Sequence, residues 1–209
     1  MLQEPLVSGP RETDPVTLDG AAARILDGAV ACIARVGVSK TTLDDVAREA
    51  GCSRATLYRY FPGKPAVMGA LVAREATALT AALQAASADT ESLSDAVVAI
   101  VVTAAAWLAA QPALNFIMTA EPEILLPHLA FDGADRVLRA GAQVVAPSLE
   151  RFVGTDNALR AGEWLARMIL TYVSSPTDAV DLADPASVRR LVADFVVPGL
   201  TTVSNSSRG

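Results

Sequence analysis

Residues 37–64, GVSKTTLDDVAREAGCSRATLYRYFPGK, decide the fold of this 209-residue chain, because they predict two short helices joined by a tight turn. Thr42 can accept a hydrogen bond from the first-turn amides, and Asp45, three residues later, can complete a capping box. The first helix should therefore begin at Thr42. Gly51 supplies a left-handed residue that ends this helix at little steric cost, and Ser53 caps the next helix.

The second predicted helix has an apolar side and a polar side. Leu57 and Phe61 lie four residues apart and predict the buried side, while Pro62 and Gly63 end the helix. The residues that project elsewhere include guanidinium, hydroxyl and phenol groups; they are Arg54, Ala55, Thr56, Arg59 and Tyr60. Arginine can pair bidentately with guanine in the major groove, so this helix is the expected DNA reader. From these residues alone, an ordinary surface helix of an all-α protein stays open as the alternative.

A support helix is predicted upstream, where small and apolar residues recur three and four positions apart. They are Ile25, Ala29, Cys32, Ile33 and Val36, and Gly37 ends the run. The three segments together predict a DNA-binding head. Through AARILDGAVACIARVG, TTLDDVAREAGCSRATLYRYF and the lysine of PGK, residues 24 to about 70 resemble the TetR family of bacterial transcriptional regulators. The sequence departs from the family pattern at Cys52, where valine is common, and at Pro65, where an acidic residue usually follows the lysine.

The resemblance implies that some side chains read bases and that others hold the DNA backbone. The positions that contact base edges in family members carry Arg54, Ala55 and Tyr58, with Arg59 as a further candidate. The positions that bind phosphates carry Thr42, Thr56, Tyr60 and Lys64. Tyr58 also lies close to the face of Leu57 and Phe61, so a role in core packing stays equally open for it.

Charge is unevenly distributed along the chain, whose net charge is −6. Residues 24–64 carry a net charge of +3, residues 1–23 carry −3 and residues 65–209 carry −6. A positive head on an acidic body suits a protein that approaches DNA end-on. The hydrophobic content of 52% is high enough for the chain to bury a real core.

The fold class is predicted to be all-α, with a small head and a larger body. The expected parts are a flexible arm over 1–19, a helix-turn-helix DNA-binding domain over 20–64, a helical ligand-binding and dimerisation domain over 65–203 and a flexible tail over 204–209. The body helices are expected near 64–87, 92–110, 112–119, 121–128, 132–153, 156–174 and 185–198. Proline at positions 112, 122 and 176 marks three of the breaks between them.

Residues 96–120 contain no charged side chain, which raises the question of a membrane span. Alanine dominates this segment and Gln111 with Pro112 interrupts it, so a buried helix with a break is the better interpretation. No membrane association is expected. The N-terminal twenty residues lack the basic and apolar regions of a signal peptide, and a cytoplasmic protein is expected.

The resemblance implies a ligand pocket in the body and a homodimer whose two heads change their separation when ligand binds. Candidate pocket residues are Trp107, Asn115, Met118 and Thr119, although plain core is the simpler interpretation of each. The low polar content of residues 96–120 favours a small hydrophobic ligand. Candidate dimer residues are Trp164, Ile169, Tyr172, Val188, Leu191, Val192 and Phe195. The alternative is that half of each apolar stripe faces its own body.

No metal site, cofactor or catalytic centre is expected from the sequence. Cys32 and Cys52 lack CxxC spacing, and His128 is the only histidine, although Glu121 and Glu123 lie near it. Buried thiols are the simpler interpretation of the cysteines, with a redox switch at Cys52 as a minor hypothesis. The chain also lacks a GxSxG elbow and a phosphate-binding glycine loop, so no enzyme is indicated.

The sequence therefore predicts a ligand-responsive transcriptional regulator, in such families most often a repressor, that binds an inverted-repeat DNA operator as a homodimer and is released by a small hydrophobic ligand. The rival hypothesis is a helical carrier or sensor of lipid-like ligands that does not bind a specific operator. The combined presence of Arg54, Tyr58, Tyr60 and Lys64 disfavours this rival.

Overall fold

The structure, a computed structural model, describes residues 20–124 and 131–196, with the side chains of 131–134 left aside. The helices in these ranges are α1 (Gly20–Lys40), α2 (Leu43–Glu49), α3 (Arg54–Tyr60), α4 (Lys64–Ser87), α5 (Leu93–Ala109), α6 (Pro112–Ala120), α7 (Phe131–Val153), α8 (Thr155–Ser174) and α9 (Pro185–Leu191). No strand occurs in the described ranges, where Thr177 and Val180 form an isolated bridge. The all-α prediction is confirmed.

Helix boundaries follow the local sequence signals closely. Ser92 caps α5 by accepting from the amide of Asp95, and Asp184 caps α9 by accepting from the amides of Ala186 and Ser187. The α-helical geometry of α9 ends at Leu191, earlier than the expected 198, and a π-helical turn follows over Val192–Val196. Of the expected helix over 121–128, residues 122–124 are helical and 125–128 lie outside the described residues, as do the arm and the tail.

Two hydrophobic cores organise the molecule. The head core lies among α1, α2 and α3, with the fully buried residues Ile25, Leu26, Cys32 and Leu57, and extends to Val67 and Leu71 of α4. The body core is built by α4, α5, α7, α8 and α9, and its members include Leu83, Val97, Ile100, Leu149, Leu165, Val188 and Val192. Because α4 contributes to both cores, it joins head to body.

Helix α6 leaves the body and packs on the head. Pro112 starts α6 after a 72° bend relative to α5, and α6 packs mainly on α1. Ala113 and Ile117, four residues apart, lie against the head core. By length and composition alone, α4 could cross a membrane, and so could α5 and α6 taken together. The sharp bend and the burial of α5 in the body core argue against a continuous span over α5 and α6.

Helices α7 and α8 form the most closely packed pair in the body. Gly154, with φ of 76°, turns the chain between them. Gly162 approaches α7 so closely that an added Cβ would lie 2.8 Å from the carbonyl oxygen of Ala142. A Cβ at Gly141 would likewise lie 2.8 Å from the Cβ of Ala166. Small residues are therefore required where these two helices cross.

The two ends of α4 are each held by a long cationic side chain. At the C-terminal end, the Arg151 guanidinium from α7 donates to the carbonyls of Ser87, Ala88 and Thr90, the last two at 2.8 Å. Ser87 and Ala88 lie at the end of α4, where a helix leaves its last carbonyls without intrahelical partners, and Thr90 lies in the loop that follows. At the N-terminal end, Lys64 reaches into the head, so α4 is fixed to both parts of the molecule.

Candidate nucleic-acid interface

Thr42 begins α2 with the capping box that the sequence predicts. Its hydroxyl oxygen accepts from the Asp45 amide at 3.2 Å, and the Asp45 carboxylate accepts from the Thr42 amide at 3.3 Å. The Thr42 hydroxyl also donates to Asp45 at 2.5 Å. This hydrogen bond, with that from Arg48, holds the pKa of Asp45 below its usual range. The start of α2 is thus fixed by side chains that lie no more than six residues apart in the sequence.

A tight turn leads from α2 into α3. Gly51 adopts φ of 63°, the left-handed conformation expected of a helix end. Ser53 then caps α3 by accepting from the amide of Thr56 at 3.1 Å. Leu57 is fully buried and Phe61 is 7% exposed, so both seat α3 on the head core as predicted.

The opposite face of α3 presents a cation beside an aromatic ring. The Arg54 guanidinium lies 5.5 Å from the centroid of the Tyr58 ring and donates to the Asp44 carboxylate at 3.2 Å. Tyr58 is 40% exposed, so it is a surface residue and the core alternative for it is wrong. A second pair follows, with Arg59 lying 5.3 Å from the ring centroid of Tyr60. Ala55 is exposed on the same helix, and Thr56 is half-buried.

Lys64 has a structural contact that the sequence did not predict. Its Nζ donates to the carbonyl of Val38 at 2.5 Å and to that of Thr41 at 2.8 Å. These two bonds use two of the three ammonium donors. Lys64 therefore holds the turn before α2 in place, in addition to any contact with a phosphate.

Comparison with known proteins adds relatives that cover most of the chain. The family model for bacterial regulatory proteins of the tetR family matches residues 25–71. The uncharacterized HTH-type transcriptional regulator Rv1255c of Mycobacterium tuberculosis is 30% identical over 191 residues, which span 90% of this chain and 89% of the relative. The chain belongs to the TetR family of transcriptional regulators.

Solved TetR-like structures share this fold across head and body. The TetR family repressor AlkX from a Dietzia strain, implicated in biodegradation of n-alkanes, superposes with a TM-score of 0.64 at 20% identity and covers 88% of this chain and 96% of its own. The fatty acid degradation regulator FadR from Bacillus halodurans gives 0.60 at 17% identity, with 87% and 99% covered. At these identities the likeness establishes the fold alone.

The candidate pocket residues of this TetR-family chain lie in two different settings. Trp107 and Met118 are half-buried. Asn115 and Thr119 are exposed and bond to backbone, Asn115 to the carbonyl of Ala109 at 2.7 Å and Thr119 to that of Asn115 at 2.7 Å. An open cleft of about 500 Å³ lies elsewhere, between α4 and α7, and is lined by Gln84, Ser87, Ala88, Pro147, Ser148, Glu150 and Arg151. None of the four candidates lines this cleft.

The candidate dimer residues also divide into two groups. Ile169, Val188 and Val192 are buried in the body core of a single chain. Tyr172 and Leu191 are half-buried. Trp164 is 43% exposed and Phe195 is 72% exposed. Trp164 and Phe195 are therefore the two candidates whose surface is most available to a second copy.

In residues 20–124 and 131–196, no group of three or more histidine, cysteine, aspartate or glutamate side chains could hold a metal ion. Burial raises the pKa of the Cys32 thiol, and Cys52 is half-buried. His128 lies outside the described residues. The redox hypothesis for Cys52 stays a prediction.

Proposed function

We propose that this TetR-family regulator is a one-component cytoplasmic repressor that binds an inverted-repeat operator as a homodimer and leaves it when a small hydrophobic ligand binds the body. The observation that carries the proposal is the exposed face of α3, where Arg54 and Tyr58 lie side by side on a helix seated by Leu57 and Phe61. A short helix supported in this way can enter the major groove and present its side chains to base edges.

Arg54 can exchange its ion pair with Asp44 for a contact with DNA. Its ion pair with Asp44 at 3.2 Å joins two exposed side chains, and such pairs contribute little free energy in water. A guanine edge in a desolvated groove offers two aligned acceptors instead. Arg54 is thus the proposed base reader, with Tyr58 stacked beside it and Arg59 as a further candidate. Thr42, Thr56, Tyr60 and Lys64 are the proposed phosphate contacts.

The ligand class is proposed from two separate observations. The uncharged residues 96–120 supply α5 and α6 with apolar side chains, and Trp107 and Met118 among them are half-buried. Two proteins of the same fold are named for n-alkane biodegradation and fatty acid degradation. A hydrophobic ligand with a long hydrocarbon part fits both observations, and no catalytic step is proposed.

Fluorescence anisotropy against DNA from upstream of the protein's own gene tests the proposal at several salt concentrations. Wild type is expected to bind selectively with a steep salt slope. Arg54→Ala should weaken binding by about 1–3 kcal/mol and relax sequence preference, whereas Tyr60→Ala should weaken binding to all sequences alike. Arg160→Ala is the matched control, because it removes an exposed arginine from α8 in the body.

The rival carrier hypothesis predicts the opposite result in the same titration. A carrier or sensor of lipid-like ligands would bind DNA weakly and without sequence preference, and Arg54→Ala would then resemble Arg160→Ala. That result, obtained with several candidate operator fragments, would put the carrier hypothesis first.

A further inference from the structure

We propose that Glu121, at the end of α6, is a positioning residue for DNA binding, because its carboxylate fixes the turn from which Thr42 is presented. This inference rests on the proposed function and adds a residue that lies far from the helix-turn-helix segment. The presenting turn comprises residues 37–41, from Gly37, the non-helical residue inside α1, to the residue before the cap of α2.

The Glu121 carboxylate binds two successive backbone amides of the presenting turn. Val38 donates its N–H to Oε2 at 2.6 Å, and Ser39 donates to Oε1 at 3.2 Å. Glu121 is only 8% exposed. Burial alone would raise its pKa, but the hydrogen bonds from Ser39 and Val38, with the nearby Lys40 ammonium, hold the pKa below its usual range. The carboxylate is therefore charged when it holds the turn.

Gly37 makes room for this carboxylate. Its φ of 84° lies in the left-handed region. A Cβ added at Gly37 would lie 2.5 Å from the carboxyl carbon and from one carboxyl oxygen of Glu121. Real Cβ atoms do not approach other heavy atoms so closely, so a side chain at residue 37 and the Glu121 carboxylate exclude one another. The backbone conformation favours glycine at this position, and the missing side chain leaves room for the Glu121 carboxylate where it lies.

The presenting turn is also held from its other side. Lys64 binds the carbonyls of Val38 and Thr41, and the Thr41 hydroxyl donates to the carbonyl of Gly37 at 2.6 Å. Val38 thus has its N–H bound by Glu121 and its C=O bound by Lys64. With amides and carbonyls both engaged, the turn has one well-defined conformation. The position of Thr42, the next residue, is fixed by this turn, and Thr42 in turn caps α2.

The position of Glu121 is itself set by α6. Ala113, Ile117 and Glu121 follow one another at four-residue spacing, so they lie on one side of α6. The first two pack against the head core and the third binds the presenting turn. The end of α6 therefore belongs, by its contacts, to the DNA-binding machinery.

Glu121→Gln tests the inference with Glu123→Gln as its matched control. Both substitutions remove one negative charge, but Glu123 is exposed and lies two residues further on. A glutamine would face one amide donor with its own NH₂ group, so one of the two bonds is lost. We expect Glu121→Gln to bind operator about tenfold more weakly, as befits a lost hydrogen bond to a charged acceptor. Glu123→Gln should bind like wild type.

Two further measurements separate positioning from a general loss of stability. Hydrogen exchange of the Val38 and Ser39 amides should accelerate in Glu121→Gln while the amides of α5 keep their protection. A double-mutant cycle with Thr42→Ala should be non-additive, because the effect of Glu121→Gln on affinity passes through Thr42. Additive effects, or unchanged exchange at both amides, would overturn the inference.

The titration also separates failure of the inference from failure of the proposed function. If wild type shows no selective operator binding, the proposed function fails and the inference falls with it. If wild type binds selectively and Glu121→Gln binds as Glu123→Gln does, the inference alone is wrong.

Discussion

Thr42 caps α2 with its hydroxyl, and it is also one of the proposed phosphate contacts. The hydroxyl oxygen accepts from the Asp45 amide and its hydrogen points to the Asp45 carboxylate. Both the hydroxyl and the amide of Thr42 donate to the Asp45 carboxylate, so a phosphate contact from either group would come at the expense of a hydrogen bond to Asp45. Substitution of Thr42 tests its role as the cap of α2.

Thr42→Val should lower the free energy of unfolding by about 1 kcal/mol, the usual effect of losing an N-cap hydroxyl. The hydroxyl is also the largest cause of the lowered pKa of Asp45, so that pKa should rise in the variant. A carboxyl with a lowered pKa stabilises the folded state above its unfolded pKa. In wild type this stabilisation is lost as the pH falls below about 4, through the folded pKa.

Chemical denaturation and NMR titration of Asp45 check both expectations, with Thr42→Ser as the control that keeps the hydroxyl. An unchanged Asp45 pKa in Thr42→Val would show that the cap does not control this carboxyl.

The close packing of α7 against α8 depends on a glycine, because there is no room for a side chain at Gly162. Gly162→Ala would place its Cβ 2.8 Å from the Ala142 carbonyl oxygen, so one helix must shift. We expect the free energy of unfolding to fall by about 1–3 kcal/mol, as in other overpacked interiors. Gly69→Ala is the control, since Gly69 lies in α4 with no atom near the added Cβ. There the change should stabilise the helix by up to about 1 kcal/mol.

Urea denaturation of the two alanine variants measures this difference. Equal shifts of the same sign at both glycines would show that the crossing of α7 and α8 has room to relax.

The ends of helices could be predicted from the sequence where the residues that fix them are close neighbours along the chain. Thr42, Gly51 and Ser53 act on neighbours two or three residues away, so the ends of α2 and α3 could be predicted directly. The hydrogen bond from Val38 to Glu121 spans 83 residues, and that from Lys64 to Val38 spans 26. No pattern along the chain encodes such pairs. The apolar spacing of α6 does not say which core it packs against, so its packing on the head was also beyond the sequence.

Candidate site residues followed the same rule. The exposed polar face of α3 was predicted because a dense motif and helical spacing both define it. Tyr58 needed the structure, since its exposure of 40% depends on how α3 sits on α1 and α2. The apolar stripes of α8 and α9 show which residues are hydrophobic, but they do not distinguish an intrachain core from a contact between two copies.

At the scale of the whole molecule, two of the candidate dimer residues carry exposed aromatic side chains, Trp164 on α8 and Phe195 in the π-helical turn after α9. Phe195 is 72% exposed and Trp164 is 43% exposed in the single chain. Large aromatic groups of this kind are typical of interfaces, where a second copy removes them from water. They are the surface expected at the centre of the proposed homodimer.

Phe195→Asp should therefore shift the protein from dimer to monomer at micromolar concentration, because it would bury an unpaired charge in the interface. Light scattering at several concentrations measures the change. Val72→Asp is the control, since Val72 is 63% exposed on α4 and outside the proposed interface. A wild-type monomer, or a Phe195→Asp protein as dimeric as wild type, would contradict the proposed dimer.

The packing of α6 on the head has a consequence for exchanging parts between related regulators. The head core draws on two stretches that are far apart in sequence, one reaching from α1 to the start of α4 and the other supplied by Ala113 and Ile117. A hybrid joined at the first residue of α4 would set one protein's head against another's α6. Grafting α6 together with the head, as a second insert, keeps the native contacts between α6 and the head core. Recombination between such genes is thus expected to succeed with two matched segments more often than with one.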